Sequence, residues 1–248
     1  MTLITASRFL PMFLALATAT GLAGNTGIED TPGWREEFKD MSPKWEVRGK
    51  PGVPDATFQV TQPAGCDSPC LVMASDKASA SLLMELDSVD LRKTPILRWR
   101  WRVTEFPKGA DGRDADKDDQ AIGIYVNTGS LISQRSIAYR WETDTPVGTN
   151  GMVNYAGGMV KVKWFSLRNQ KDGDGKTFLI EERNVAEDFK QAFGTIPKKI
   201  GIGISCNSQY TASKAAAELD WIELVPEQTE NPASGGTNLI SGNLKRPE

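Results

Sequence analysis

Residues Leu97-Arg98-Trp99-Arg100-Trp101-Arg102-Val103 alternate without a break between large apolar and arginine side chains. In an extended chain, successive side chains point to opposite faces. Leu97, Trp99, Trp101 and Val103 therefore share one face, and Arg98, Arg100 and Arg102 the other. A helix, at about 3.6 residues per turn, would scatter both sets. The segment has to be a strand whose apolar face needs a second layer over it. Period-2 segments recur at 57–61, 71–75, 79–86, 121–126, 136–142, 159–167, 177–183, 199–207 and 217–225, separated by Gly, Asp, Asn and Pro turns. Trp34, Phe38 and Trp45 suggest an opening strand or turn against the same core. Regular short strands with such turns predict an all-β sandwich or barrel. One helix is predicted over 186–193, where Phe189 and Phe193 stand at i, i+4 and Gly194 supplies a C-terminal stop.

The ends of the chain read differently. Residues 1–23 place Arg8 before an apolar run and small residues, the pattern of a cleaved secretory signal. Cleavage fits after Ala19 or after Ala23, and the apolar run is shorter than the ~20 residues that span a bilayer. Residues 24–33 read as a linker, 34–225 as one β domain, and 226–248 as a polar, aperiodic tail without a fold of its own. The expected location is periplasmic or secreted, with no membrane span in the mature form. Net charge is −3, which gives no reason to expect nucleic acid or an anionic membrane surface as partner. In an oxidising compartment, Cys66-Asp67-Ser68-Pro69-Cys70 reads as a local disulfide and Cys206 as a buried free thiol.

The chain contains no histidine. Ser-His-Asp and Cys-His catalysis are thereby excluded, and a general base would have to be a carboxylate, Tyr or Lys. Between two strands, Asp111, Asp114, Asp116, Asp118 and Asp119 crowd one loop. Asp114, Asp116, Asp118 and Asp119 are candidate calcium ligands, although Tyr125 stands where an EF-hand-type loop needs its bidentate Glu. A solvated loop with neighbouring Lys and Arg explains the same residues. No other cofactor is expected.

The arginine stripe needs acids, water or an anionic ligand opposite it. Arg140 with Glu142, Glu181 with Arg183, and Glu218 with Asp220 each share a strand face, so neighbouring strands would build a mixed-charge lattice. Such a face suits saccharide hydroxyls when aromatic rings lie beside it. It equally suits a surface of cross-strand ion pairs worth under ~1 kcal/mol each. Trp99, Trp101, Trp141 and Trp221 are expected in the core, with Trp164 and Tyr125 the better stacking candidates.

Leu97–Val103, Gly109-Ala110-Asp111 leading to Asp118-Asp119, Tyr139-Arg140-Trp141, Glu182-Arg183-Asn184-Val185, Asp188-Phe189 and Phe193-Gly194 together resemble a family of exported bacterial proteins known only as a domain of unknown function. The resemblance implies a two-sheet, jelly-roll-like sandwich in the style of carbohydrate-binding modules and concanavalin or galactose-binding domains. It implies no established activity. The chain departs from the family pattern at Asn207 and Gln209, where amides stand in acidic places and keep hydrogen-bonding capacity without basicity.

The leading expectation is a non-catalytic glycan-binding protein using Arg98, Arg100, Arg102, Tyr125, Arg140, Glu142, Arg183 and Asn207. The first alternative is a polysaccharide-degrading enzyme. A hydrolase would draw its carboxylates from Glu142, Glu181 and Asp220, and a lyase would use Tyr139 or Tyr125 with Arg100 and Arg140. The second is a structural or assembly protein of the cell envelope.

Overall fold

A computed structural model describes residues 33–228 except 65, 131 and 132. The expected signal segment and most of the expected tail lie outside the described residues. Among the described residues, thirteen strands and one α-helix follow in chain order, with a single 3-10 turn at Ala156–Gly158. They are β1 (Trp34–Glu36), β2 (Glu46–Gly49), β3 (Thr57–Thr61), β4 (Cys70–Asp76), β5 (Ser79–Leu86), β6 (Ile96–Glu105), β7 (Ile122–Thr128) and β8 (Gln134–Trp141), continuing with β9 (Asn150–Tyr155), β10 (Val160–Arg168), β11 (Leu179–Asn184), α1 (Val185–Phe193), β12 (Ile200–Asn207) and β13 (Lys214–Val225).

The strands form two facing sheets, the jelly-roll-like sandwich expected. Sheet A runs β11-β6-β13-β4-β3, with β1 also paired to β13. Sheet B runs β2-β5-β12-β7-β8-β10-β9. Every pairing is antiparallel except β8 with β10.

The alternation in β6 decides the packing between them. Leu97, Trp99, Trp101 and Val103 are all buried against the inner face of sheet B. Trp99 stacks on Tyr139 of β8 at 5.4 Å between ring centroids, and Trp101 meets Trp141 at 5.3 Å. Such aromatic pairs add about 0.5–1.5 kcal/mol each beyond the area they bury.

Trp221 departs from the expectation that it fills the core. The register of β13 against β6 shifts between Leu219 and Trp221. An extra residue in one strand reverses the in-out alternation beyond it. Leu219 and Ile222 consequently turn inward and are fully buried. Trp221 carries the guanidinium of Arg35 at 4.7 Å from its ring.

Strand β9 is also unanticipated. Its sequence, Asn-Gly-Met-Val-Asn-Tyr, reads locally as turn, but it pairs along β10 from Val160↔Tyr155 to Phe165↔Asn150. Helix α1 has the expected ends: Asn184 Oδ1 accepts from Glu187 N at 3.0 Å, and Gly194 adopts φ 76°.

Among the described residues, no helix is long and apolar enough to cross a membrane.

Candidate functional site

Both outer faces of the sandwich pair their arginines with acids, in a row of three on sheet A and around the single Arg140 on sheet B. On sheet A the arginine stripe is matched residue by residue. Arg98 pairs with Glu182 at 2.5 Å, Arg100 with Asp220 at 2.5 Å and Arg102 with Glu218 at 2.5 Å. The ring of Phe178 lies 4.7 Å from the Arg100 guanidinium and 4.4 Å from that of Arg102. The mixed-charge lattice exists, then, but as a self-compensated surface. Arg98, Arg100 and Arg102 share no site with the other predicted ligand residues.

Three further predicted residues are held by partners of their own. Tyr139 points into the core, is fully buried, and donates to Asp188 Oδ2 at 2.6 Å. Burial, then the Asp188 carboxylate, raise its phenol well above the ordinary tyrosine range. It cannot be the solvent-accessible base a lyase needs. Arg183 is bonded to the same Asp188, 2.7 Å from Oδ1. Glu181 accepts from Arg168 Nε at 2.6 Å and from the Trp101 indole at 3.4 Å. Glu142, Glu181 and Asp220 are each held by partners of their own: Thr145 and Arg140, Arg168 and Trp101, and Arg100.

The acidic loop does not gather into a cation site. Asp114 accepts from Asp116 N at 3.0 Å and pairs with Lys117 at 3.1 Å. Asp118 pairs with Arg140 at 2.9 Å. Asp119 is buried and accepts from Tyr210 N, Thr211 N and Thr211 Oγ1 at 3.2, 2.7 and 2.8 Å. The loop aspartates are used to fold their own loop and to anchor the 208–213 segment.

On the outer face of sheet B the structure assembles what the sequence left scattered. Because side chains alternate, the register sets Ser81, Ser205, Gly123, Arg140 and Ser166 in one row across five strands. Leu83, Gly203, Tyr125, Ala138, Trp164 and Gly151 make the next row. Glycines thus leave bare backbone on β7 and β12, and the neighbouring rings lean over it. A Cβ built on Gly123 would meet Tyr125 Cε2 at 2.9 Å, and one on Gly151 would meet Trp164 Nε1 at 2.7 Å.

Arg140 is the centre of this face. Its guanidinium lies 5.0 Å from the Trp164 ring, and its Nη1 is 2.9 Å from Asp118 Oδ1 and 3.7 Å from Glu142 Oε1. Burial opposes its charge, but the neighbouring phenol of Tyr125 and the carboxylates of Asp118 and Glu142 outweigh this and raise its pKa further. Glu142 is completely buried and sits against Gly112, where a Cβ would come 2.7 Å from Oε1. Burial raises the Glu142 carboxyl above its ordinary range, and Asp118 adds to this, although Arg140 and Thr145 oppose it.

Asp118 is held from several sides. Gln120 Nε2 donates to its Oδ1 at 2.7 Å, and Asn207 Nδ2 donates to its carbonyl at 3.1 Å. Asn207 Oδ1 in turn accepts from Gln120 N at 2.8 Å. The amide at position 207 therefore acts as a two-way clasp on the loop, a task for which a carboxylate lacks the donor.

The rim is phenolic. Burial, then Tyr125 and Asp118, push the Tyr155 phenol up to about 12, against an opposing effect of Arg140 and with a smaller addition from Tyr210. Tyr125, Tyr155 and Tyr210 therefore lie in one electrostatic neighbourhood around Arg140 and Asp118. Tyr155 is 45% exposed, so its ring is available at the surface, whereas Tyr210 carries the Lys50 ammonium 4.7 Å from its ring and accepts from it at 3.0 Å. Arg140 Nε, Ser166 Oγ and Glu142 Oε1 are buried without a hydrogen-bond partner among the described residues. Nearly all buried polar atoms in proteins have partners, so such a group marks capacity left for something else.

Sequence reasoning selected Tyr125, Arg140, Glu142 and Asn207 here. It considered Asp118 only as a metal ligand and missed Tyr155, Tyr210 and Ser166. The Tyr125–Arg140 proximity follows from β7–β8 pairing, which an alternation pattern does not encode.

The class defined by these features is a two-sheet sandwich with an aromatic-rimmed polar face on one sheet. Residues 44–223 match the family described as Protein of unknown function (DUF3047), and the chain belongs to that family. No curated protein matches.

Three solved structures illustrate what the fold is similar to. The Family 11 carbohydrate-binding module from Clostridium thermocellum in complex with a beta-1,3-1,4-mixed-linked tetrasaccharide is 9% identical, with TM-score 0.40, over 77% of this chain and 93% of its own. The xyloglucanase domain of NopAA, a type three effector from Sinorhizobium fredii, in complex with cellobiose, is 10% identical, with TM-score 0.41, over 75% and 96%. The winged bean acidic lectin with methyl-alpha-D-galactose is 11% identical, with TM-score 0.40, over 79% and 99%. Likenesses at this level assign neither ligand nor activity to this chain.

Proposed function

We propose that the chain is a glycan-binding protein and that saccharide lies on the outer face of sheet B. The observation that carries this reading is the convergence on one face of Arg140, its Asp118 partner and the Trp164 ring with the phenols of Tyr125 and Tyr155. Saccharide sites combine ring faces that stack on the sugar with a few fixed polar groups for its hydroxyls. Asp118, held in place by Gln120 and Asn207, presents a fixed carboxylate at the side. Arg140 already has Asp118 as counter-ion, so the reading favours a neutral, hydroxyl-rich glycan over an acidic one. Export, expected from residues 1–23, is consistent with this role.

The test is calorimetric titration of the full chain with neutral and uronic-acid oligosaccharides, chosen from a glycan array. Tyr125→Ala and Asp118→Asn are each expected to weaken binding about tenfold or more, the equivalent of roughly 1.4 kcal/mol. Absence of binding across the array, or binding unaffected by both substitutions, overturns the reading.

One observation favours a hydrolytic second reading. Asp118 and Glu142 approach the same guanidinium nitrogen, which sets two carboxyl groups around one centre, and burial raises the Glu142 carboxyl above its ordinary range. Complete burial of Glu142 behind Gly112 weighs against it. Release of reducing sugar that is abolished by Glu142→Gln would decide for hydrolysis.

A further inference from the structure

A second cluster of reactive side chains lies on the outer face of sheet A, independent of the saccharide reading. Cys70 opens β4, Cys66 stands in the loop before it, and Glu218 comes from β13. Each Sγ is 3.9 Å from the same oxygen, Glu218 Oε2, and all three ligand atoms lie within 4.8 Å of one another. Arg102 ties the group together: its Nη2 is 3.3 Å from Cys66 Sγ, its Nε donates to Glu218 Oε2 at 2.7 Å, and its Nη1 donates to Lys176 O at 2.6 Å.

The two sulfurs are unequal. Cys66 is partly exposed, so solvent reaches it, and the Arg102 guanidinium lies at its sulfur. Cys70 is fully buried, and burial, then the Glu218 carboxylate, push its thiol up to about 12. Cys206 is elsewhere, buried in the core with Ser75 as its partner at 3.5 Å.

We propose that Cys66 and Cys70 are a redox-active dithiol that closes to a disulfide on sheet A, with Cys66 the attacking sulfur and Cys70 the resolving one. The oxidant is a low-molecular-weight or protein disulfide. Cys66 Sγ gives up its proton to solvent and attacks one sulfur of that disulfide, which forms a mixed disulfide and expels the first thiolate. Cys70 Sγ, giving up its proton to water, then attacks Cys66 Sγ, and the mixed bond breaks to expel the second thiolate. Both leaving groups take up protons from water. Two protein thiols are oxidised and one oxidant disulfide is reduced. The closed ring ties residues 66–70 beside the Arg102–Glu218 pair.

The full chain, reduced and then exposed to oxidised glutathione, tests this by intact mass and peptide mapping. Wild type is expected to lose the mass of two hydrogens, with residues 66 and 70 linked and Cys206 still a thiol. Cys70→Ser should accumulate a glutathione adduct on Cys66, and Cys66→Ser should form its adduct at least about tenfold more slowly, since its remaining thiol of the pair is buried. If either variant fails to fold, acid-quenched wild type mapped during the reaction gives the order, with the adduct on Cys66 preceding the link. Three persistent free thiols, equal adduct rates in the two variants, or a first adduct on Cys70 overturn the proposal. So does a reduced protein that holds stoichiometric zinc, both thiols protected until a chelator is added, because the cluster would then be a metal site.

Discussion

Glu142 shows how much a single residue's environment can outweigh its type. Its carboxyl is enclosed by the chain on every side, with one oxygen accepting from Thr145 Oγ1 at 3.1 Å and the other unfilled. A carboxyl raised in the folded state binds its proton more tightly there than in the unfolded chain. Its contribution to stability is therefore fully present below the ordinary glutamate range and is lost as pH rises through the raised folded value. Glu142→Gln keeps the shape and removes the titration. The variant is expected to unfold at about the same denaturant concentration at pH 8 as at pH 5 where only this group matters. Wild type should weaken over that interval, and the difference between their denaturation midpoints reads the effect directly. A wild-type midpoint that rises with pH relative to the variant would contradict the assigned direction.

At the scale of elements, the sequence and the structure agree where one strand suffices to explain a pattern and diverge where partners decide. The alternation of β6 was legible because its two faces differ so sharply in chemistry, and α1 because Asn184 and Gly194 mark its ends. Strand β9 was not legible, since Asn150, Gly151 and Asn154 carry little intrinsic strand preference and are held by pairing to β10. The outward turn of Trp221 depends on a bulge that no local pattern announces.

Gly123 belongs to the same level, because its significance comes from the strand beside it. A methyl group there meets Tyr125 Cε2 and Ser205 Oγ, each at 2.9 Å, and both are side-chain atoms able to shift. Gly123→Ala should fold with nearly unchanged stability while displacing the Tyr125 ring, and so weaken glycan binding about tenfold. Calorimetry beside a thermal melt separates the two effects. Equal binding in variant and wild type would remove Tyr125 from the site.

The whole molecule carries an asymmetry that composition hides. Net charge, absence of histidine and the two-layer requirement of β6 bounded the architecture and excluded whole mechanisms. They could not tell how each of two polar faces pairs its arginines. Arg98, Arg100 and Arg102 formed the most conspicuous pattern in the chain, yet sheet A answers them with Glu182, Asp220 and Glu218. Arg140, a single arginine among apolar neighbours, lies where capacity is left over. Deciding between them takes cross-strand register, which arises from contacts far apart in sequence.

Strand β9 also has a kinetic meaning. It is the outermost strand of sheet B, bonded on one side to β10, and it ends at Tyr155, one wall of the polar face. Edge strands open locally at lower free energy than the strands they border. The wall of the site is thus carried by one of the sheet's more readily opened parts, and a bound saccharide that leans on Tyr155 must hold that strand shut to stay. Amide hydrogen exchange over residues 150–155 should slow on glycan binding while exchange in β6 is unchanged, and the factor of slowing would report occupancy of the face. Exchange unaltered at saturating glycan would mean that the sugar does not rest on Tyr155.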